Sequence, residues 1–216
     1  MTRIPLAYPK IPGSSAAPLA QCIAFEKYDG TNIHWMWNRE IGWHAFGMRR
    51  NRYDLDEDGI VEFGQNHDGF TGIADLFNDS LRTQLDSIFR EHTDYECDDI
   101  VVFTEYLGDK SFAGLHKSGD TKRLVLIDVQ IDSGIIPPSK FIADFASLNI
   151  ARVVYRGKLT GKFAEQVRNG EFDVFEGVVC KGGETSDTLW MAKIKTNDYM
   201  ERLKTAFSGN WEAYWE

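Results

Sequence analysis

The chain has 216 residues, 43% hydrophobic and 26% charged, which suffices for a substantial core, and no apolar run reaches the ~18 residues of a membrane span. The net charge of −9 does not exclude a nucleic-acid partner, because residues 51–100 carry fourteen acidic and three basic residues and hold most of the acid. Three widely spaced cysteines, Cys22, Cys97 and Cys180, argue against a disulfide framework and for a reducing cytoplasm, with no membrane partner.

The first twenty residues contain Pro5, Pro9, Pro12 and Pro18 and lack the apolar stretch of a signal peptide. "IPGSSAAP" reads as an irregular lead-in, and "QCIAFEKY" as a strand. "NIHWMWN" and "GWHAFGM" alternate as a hairpin around "REIG", so Trp35, Trp37 and Trp43 read as its core face and not as base-stacking groups. Residues 49–69 are polar and glycine-punctuated and read as one long loop. Within it "DLDEDG" lacks a full calcium-ligand pattern and reads as a solvated acidic stretch. Ile73, Leu76, Phe77, Leu81, Leu85, Ile88 and Phe89 then recur at helical spacing to about His92.

"DIVVFTEYLG" and "RLVLIDVQI" read as buried strands separated by a loop. "PPSKFIADFASLN" has prolines at a helix start, "ARVVYRG" is a short strand, and "GKFAEQVRNG" is a helix ended by glycine. "DVFEGVVCKGG" and "TLWMAKIKT" are strands joined by a polar turn. A last helix holds Tyr199, Leu203 and Phe207, with Trp211 and Trp215 packing it onto the body. The five histidines show no metal spacing. The fold class is α+β, with largely antiparallel sheets flanked by helices, and no linker separates a second domain.

Several charges sit on strands that otherwise read as buried: Lys27 with Asp29, Glu105, Glu176 with Lys181, and Lys193 with Lys195. Such charges are costly unless paired or facing a cleft. Lys193 and Lys195 share one face of their strand, where two ammonium groups tolerate each other if the face is solvated or meets an anion such as phosphate. Any one of these residues alone reads as a solvated edge or half a salt bridge.

Their order carries more. The chain runs "KYDG", "RRNR", "TEYLG", "LIDV", "EGVVCK" and "KIK". This set, spanning Lys27 to Lys195, resembles the covalent nucleotidyltransferase superfamily of ATP-dependent ligases and capping enzymes. The Thr31-Asn32 pair after the glycine makes it most similar to RNA ligases related to phage T4 RNA ligase 2. The resemblance implies an ATP-grasp-like adenylation domain covering 1–216, without a C-terminal OB-fold or helical domain. It implies an ATP-dependent RNA ligase using Mg²⁺ or Mn²⁺, acting on RNA with 5′-phosphate and 3′-hydroxyl ends, with a partner protein or domain available for substrate binding. Lys27 would be the nucleophile that forms a lysyl-AMP. Lys193, Lys195 and a metal ion would depress its pKa and stabilise phosphate charge. Glu26, Asp29, Gly30, Asn32, Arg50, Glu105, Ile127, Glu176 and Lys181 would surround the nucleotide, with Glu176 and Glu105 near the metal. Ile127 stands where the family usually has an aromatic residue. A capping or DNA-end transferase, and a nucleotide- or RNA-binding module without turnover, remain open alternatives.

Overall fold

The computed structural model describes residues 7–49, 51–108 and 119–209. In chain order the strands are β1 (Gln21–Lys27), β2 (Thr31–Asn38), β3 (Gly42–Gly47), β4 (Tyr53–Asp54), β5 (Asp99–Leu107), β6 (Arg123–Ile131), β7 (Gly134–Ile135), β8 (Val153–Lys158), β9 (Gly177–Gly182) and β10 (Trp190–Lys195). They form two antiparallel sheets, a four-stranded one in the order β10-β9-β1-β8 and a six-stranded one in the order β4-β3-β2-β5-β6-β7. The helices are α1 (Glu57–Asn66), α2 (Ile73–Phe77), α3 (Thr83–Glu91), α4 (Pro138–Phe145), α5 (Gly161–Arg168) and α6 (Asn197–Ala206).

The main core lies between these layers. Ile23 and Phe25 of β1 share it with Trp35 and Trp37 of β2, Val102 of β5, and the apolar faces of α2, α3 and α4. Trp35 stacks on Phe77 with ring centroids 3.9 Å apart. The three hairpin tryptophans are thus core residues, as their alternation indicates. The other face of the four-stranded sheet, with Cys22, Ala24 and Cys180, packs under α5.

The helix expected over residues 72–92 is α2 and α3 joined by a π turn, Asn78–Arg82. Its large buried residues Ile73, Phe77, Leu81, Leu85 and Phe89 are spaced by four. On a 3.6-residue helix that spacing drifts by ~40° per step. The wider π turn takes up part of the drift and keeps all five on the core side.

The stretch read as one long loop contains β4 and α1. Asp56 caps α1 by accepting the Gly59 N–H at 2.8 Å, and Glu57 and Asp58 occupy its first turn, where the helix dipole favours acid. "DLDEDG" is therefore a helix start. Gly59 and Gly64 dilute its periodicity, yet Gly59 is required: a Cβ there would lie 2.1 Å from the Asp54 carbonyl oxygen. Trp211 and Trp215 lie outside the described residues.

Candidate active site

The link from β1 to β2 is not a hairpin. It carries the chain from the four-stranded sheet to the six-stranded one, and Tyr28-Asp29-Gly30 forms the crossing. Lys27, the last residue of β1, therefore stands where the sheets diverge. Asp29 is buried and accepts a hydrogen bond from the Tyr199 hydroxyl of α6 at 2.9 Å.

Strand register assembles the remaining groups. Lys27 and Lys195 both pair with Gly177, one from each side of β9. Glu176 immediately precedes that glycine, so its carboxylate reaches both lysines. Its Oε1 lies 2.7 Å from Lys27 Nζ and 3.6 Å from Lys195 Nζ. Gly177 has φ +149°, and a Cβ there would meet the Ile194 carbonyl oxygen at 1.9 Å, so the Glu-Gly pair cannot be exchanged for a bulkier one. Thr196 fixes the far end: its backbone N–H donates to the Glu176 carbonyl, and its hydroxyl donates to Phe175 and caps α6.

A cleft of about 1220 Å³ opens between the sheets, a volume that accommodates a nucleotide. Glu26, Lys27, Gly30, Asn32, Glu105, Ile127, Lys181 and Lys193 line it, whereas Asp29, Glu176 and Lys195 lie behind its wall. Residues 7–11 of the lead-in form one side. Arg50 lies outside the described residues; its neighbour Arg49 lines the cleft. Glu26 also pairs with Arg152 at 2.8 Å.

The electrostatics correct one expectation. Lys193, Lys195 and a metal ion are expected to depress the Lys27 pKa, and without the metal the two lysines do not suffice. Burial does pull it down, but Glu176, Glu105 and Asp29 outweigh burial and hold it above the usual lysine value. Of the two lysines that share Glu176, Lys195 is instead the depressed one, through burial and the neighbouring Lys27 charge, against the pull of Glu176. Burial and the nearby Glu176 push Glu105 up to about 8, although Lys27 and the Gly30 N–H favour its charged form.

Lys181 lines the cleft but is engaged. Its Nζ lies 2.6 Å from Asp128 Oδ2 and donates to the Ile127 carbonyl at 2.8 Å. Tyr8 also donates to Asp128. This buried group joins β9, β6 and the lead-in. Sequence reasoning weighed Ile127 and passed over Asp128, although a carboxylate inside the apolar run "RLVLIDVQI" was a signal. Tyr8 gave none, and Tyr199 read only as a core position of the last helix.

Glu176 and Glu105 supply the hard oxygens that Mg²⁺ or Mn²⁺ prefers. Among the described residues no group of three or more metal-ligating side chains converges. A cation here would complete its shell with water and substrate phosphate, a normal arrangement for Mg²⁺.

No protein-family model and no curated protein matches the sequence. Solved structures do. The chain is similar to a Naegleria gruberi RNA ligase mutant with ATP and Mn, at TM-score 0.61 and 11% identity, over 91% of this chain and 57% of that one. It is similar to another mutant of that ligase with AMP and Mn, at TM-score 0.59 and 11% identity, over 91% and 57% of the two chains. It is also similar to an archaeal ATP-dependent RNA ligase, at TM-score 0.58 and 17% identity, over 97% and 58%. The chain thus spans a little over half the length of these ligases. Over the matched portion its two antiparallel sheets and flanking helices have the fold of these RNA ligases.

Proposed function

We propose that the chain is an ATP-dependent RNA ligase that adenylylates itself on Lys27, passes AMP to an RNA 5′-phosphate and joins that end to a 3′-hydroxyl. The observation that supports this reading best is Lys27 at the cleft, sharing one oxygen of Glu176 with Lys195. A nucleophilic lysine needs a neighbouring base and neighbouring positive charge, and this arrangement offers both.

Lys27 Nζ attacks the α-phosphorus of ATP; an N–P bond forms, the bond to pyrophosphate breaks, and pyrophosphate leaves. The proton on Nζ has Glu176 Oε1 as an acceptor at 2.7 Å. Lys193, lining the cleft, and Lys195 behind it offset charge on the phosphates. Without a cation Glu105 is held protonated to about pH 8; a bound divalent cation would displace that proton and leave its carboxylate as a ligand. Asn32 and Ile127 hold phosphate and base from the six-stranded sheet. A divalent cation held by Glu176 and Glu105 would supply further charge neutralisation on the triphosphate.

In the second step an RNA 5′-phosphate oxygen attacks the AMP phosphorus, the N–P bond breaks, and Lys27 regains its proton. In the third, the 3′-hydroxyl attacks the RNA phosphorus and AMP leaves.

ATP labelled in its α-phosphate tests this directly. With Mg²⁺ the protein is expected to become labelled, and Lys27→Ala to take no label. A chase with 5′-phosphorylated RNA should remove the label and yield joined product. Absence of label from any nucleotide sinks the reading; preference for GTP moves it to capping, and discharge only by DNA moves it to DNA ends.

A further inference from the structure

We propose that His67, delivered to the cleft by the C-terminal end of α1, donates a hydrogen bond from Nδ1 to a phosphate oxygen of the bound substrate. The proposal rests on the ligase reading above for the phosphates on offer, the triphosphate of ATP and the 5′-phosphate of the RNA; the donor itself is read from the side chains around His67.

Local packing sets the position. The His67 backbone N–H donates to the Phe63 carbonyl at 2.9 Å and closes α1. The residues that follow dock on β5. Phe70 packs on Tyr106 with ring centroids 5.3 Å apart, and the Tyr106 hydroxyl donates to the Gly69 carbonyl at 3.5 Å. Tyr106 pairs with Thr31, and Glu105 with Asn32, so the His67 turn is fastened at the end of β5 that holds the site. His67 lines the cleft together with Asn32, Arg49 and Lys193, all of which carry N–H donors.

A proton count then fixes what the ring presents. The imidazole is clamped by aromatic rings, with centroids 4.8 Å from Phe63 and 5.8 Å from Tyr53. Its Nε2 lies 3.2 Å from the Tyr53 hydroxyl. Asn66 Nδ2 donates to that hydroxyl oxygen at 3.5 Å, and among the described residues His67 Nε2 is the acceptor left for the hydroxyl proton. Tyr53 therefore donates to Nε2, which keeps its lone pair, and the ring proton sits on Nδ1. A second proton on the ring would leave Nδ1 a donor all the same. Nδ1 makes no hydrogen bond with the described residues and is not among the buried unpaired atoms, unlike both nitrogens of His34.

Packing alone does not call for a histidine here. A phenylalanine would fit among Tyr53, Phe63 and Phe70, and it would present no donor to the cleft. One nitrogen serves the contact with Tyr53; the other is held in place and open. Its neighbours Arg49 and Lys193 are cations, so the acceptor that meets all three donors is anionic, as a phosphate oxygen is.

Equilibrium binding separates this proposal from the ligase reading. Three probes are used without divalent metal: ATP, a 5′-phosphorylated RNA and the same RNA with a 5′-hydroxyl. A hydrogen bond to a charged group is worth roughly tenfold or more in affinity. His67→Phe, which keeps the ring packing, is expected to weaken ATP or the 5′-phosphorylated RNA by about that factor and to leave the 5′-hydroxyl RNA unchanged. Loss on ATP places the contact on the triphosphate; loss on the RNA places it on the acceptor end. His67→Asn, whose Nδ2 takes the place of Nδ1, should recover most of the affinity. Equal binding of all probes to wild type and His67→Phe, an equal loss on the 5′-hydroxyl RNA, or an asparagine variant as weak as the phenylalanine one overturns the proposal. So does a wild type that binds neither phosphate probe. The expected losses in a protein that takes no label from ATP uphold the donor and reject the ligase.

Discussion

At Asp128 one carboxylate meets one ammonium, that of Lys181, and both side chains are at most 4% exposed. At Glu176 one carboxylate oxygen is shared by two ammoniums, and one of them, Lys27, is 26% exposed at the cleft. The first group is closed: Tyr8 and the Ile127 carbonyl complete it, and it ties the two sheets together. The second is open, with an extra cation and access to an anion. On the proposed reading, the same residue types serve architecture where the group is sealed and reactivity where it opens on the cleft.

Substitutions at each group would break or sharpen that contrast. Asp128→Asn leaves Lys181 buried without its counter-charge, and we expect a loss of about 3–5 kcal/mol in denaturant unfolding. Asp128→Leu with Lys181→Met should recover most of it; a single variant as stable as wild type would show that the pair is not structural. At the open group, Lys195→Met should slow labelling of Lys27 by roughly 10²-fold in rapid-quench measurements while unfolding changes little. Labelling at the wild-type rate would remove Lys195 from the chemistry.

The open group should also titrate near neutrality. The folded Glu105 pKa is about 8, above its unfolded value. The folded state therefore holds this proton while the unfolded state has lost it, so the contribution is full at acid pH and disappears as pH rises through 8. Unfolding of the metal-free protein across pH 5–9 should show this decline, and Glu105→Gln should flatten it. An unchanged slope would place the titration elsewhere. The smallest effect is expected for Tyr199→Phe, which removes the hydrogen bond to buried Asp29 and should cost ~1 kcal/mol in thermal unfolding.

Much of this contrast was legible in the sequence, but only on one side. Alternation located β2 and β3, and apolar runs located β1, β5 and β6, because each buries one face or both against a core. Helix α1 escaped because Gly59 answers to a contact with Asp54 and not to helical periodicity. The open group could be listed in order from "KYDG", "EGVVCK" and "KIK", yet the proton balance of Lys27 came out reversed. The carboxylates that hold it protonated reach it through strand pairing, as Glu176 does, or across the cleft, as Glu105 does. The closed group was half visible: Lys181 was singled out as a nucleotide contact, but its partner Asp128 lies on the other sheet and Tyr8 on an irregular lead-in.

The most direct measurement is the position of the AMP. The protein is incubated with ATP and Mg²⁺, digested under mildly alkaline conditions that preserve a phosphoramidate, and mapped by mass spectrometry. We expect one adenylylated residue, Lys27, on the peptide containing "KYDGTN", with the adduct lost on acid treatment. An adduct on Lys181, Lys193 or Lys195, or ATP turnover with no protein adduct, would contradict the assignment of Lys27 as the nucleophile.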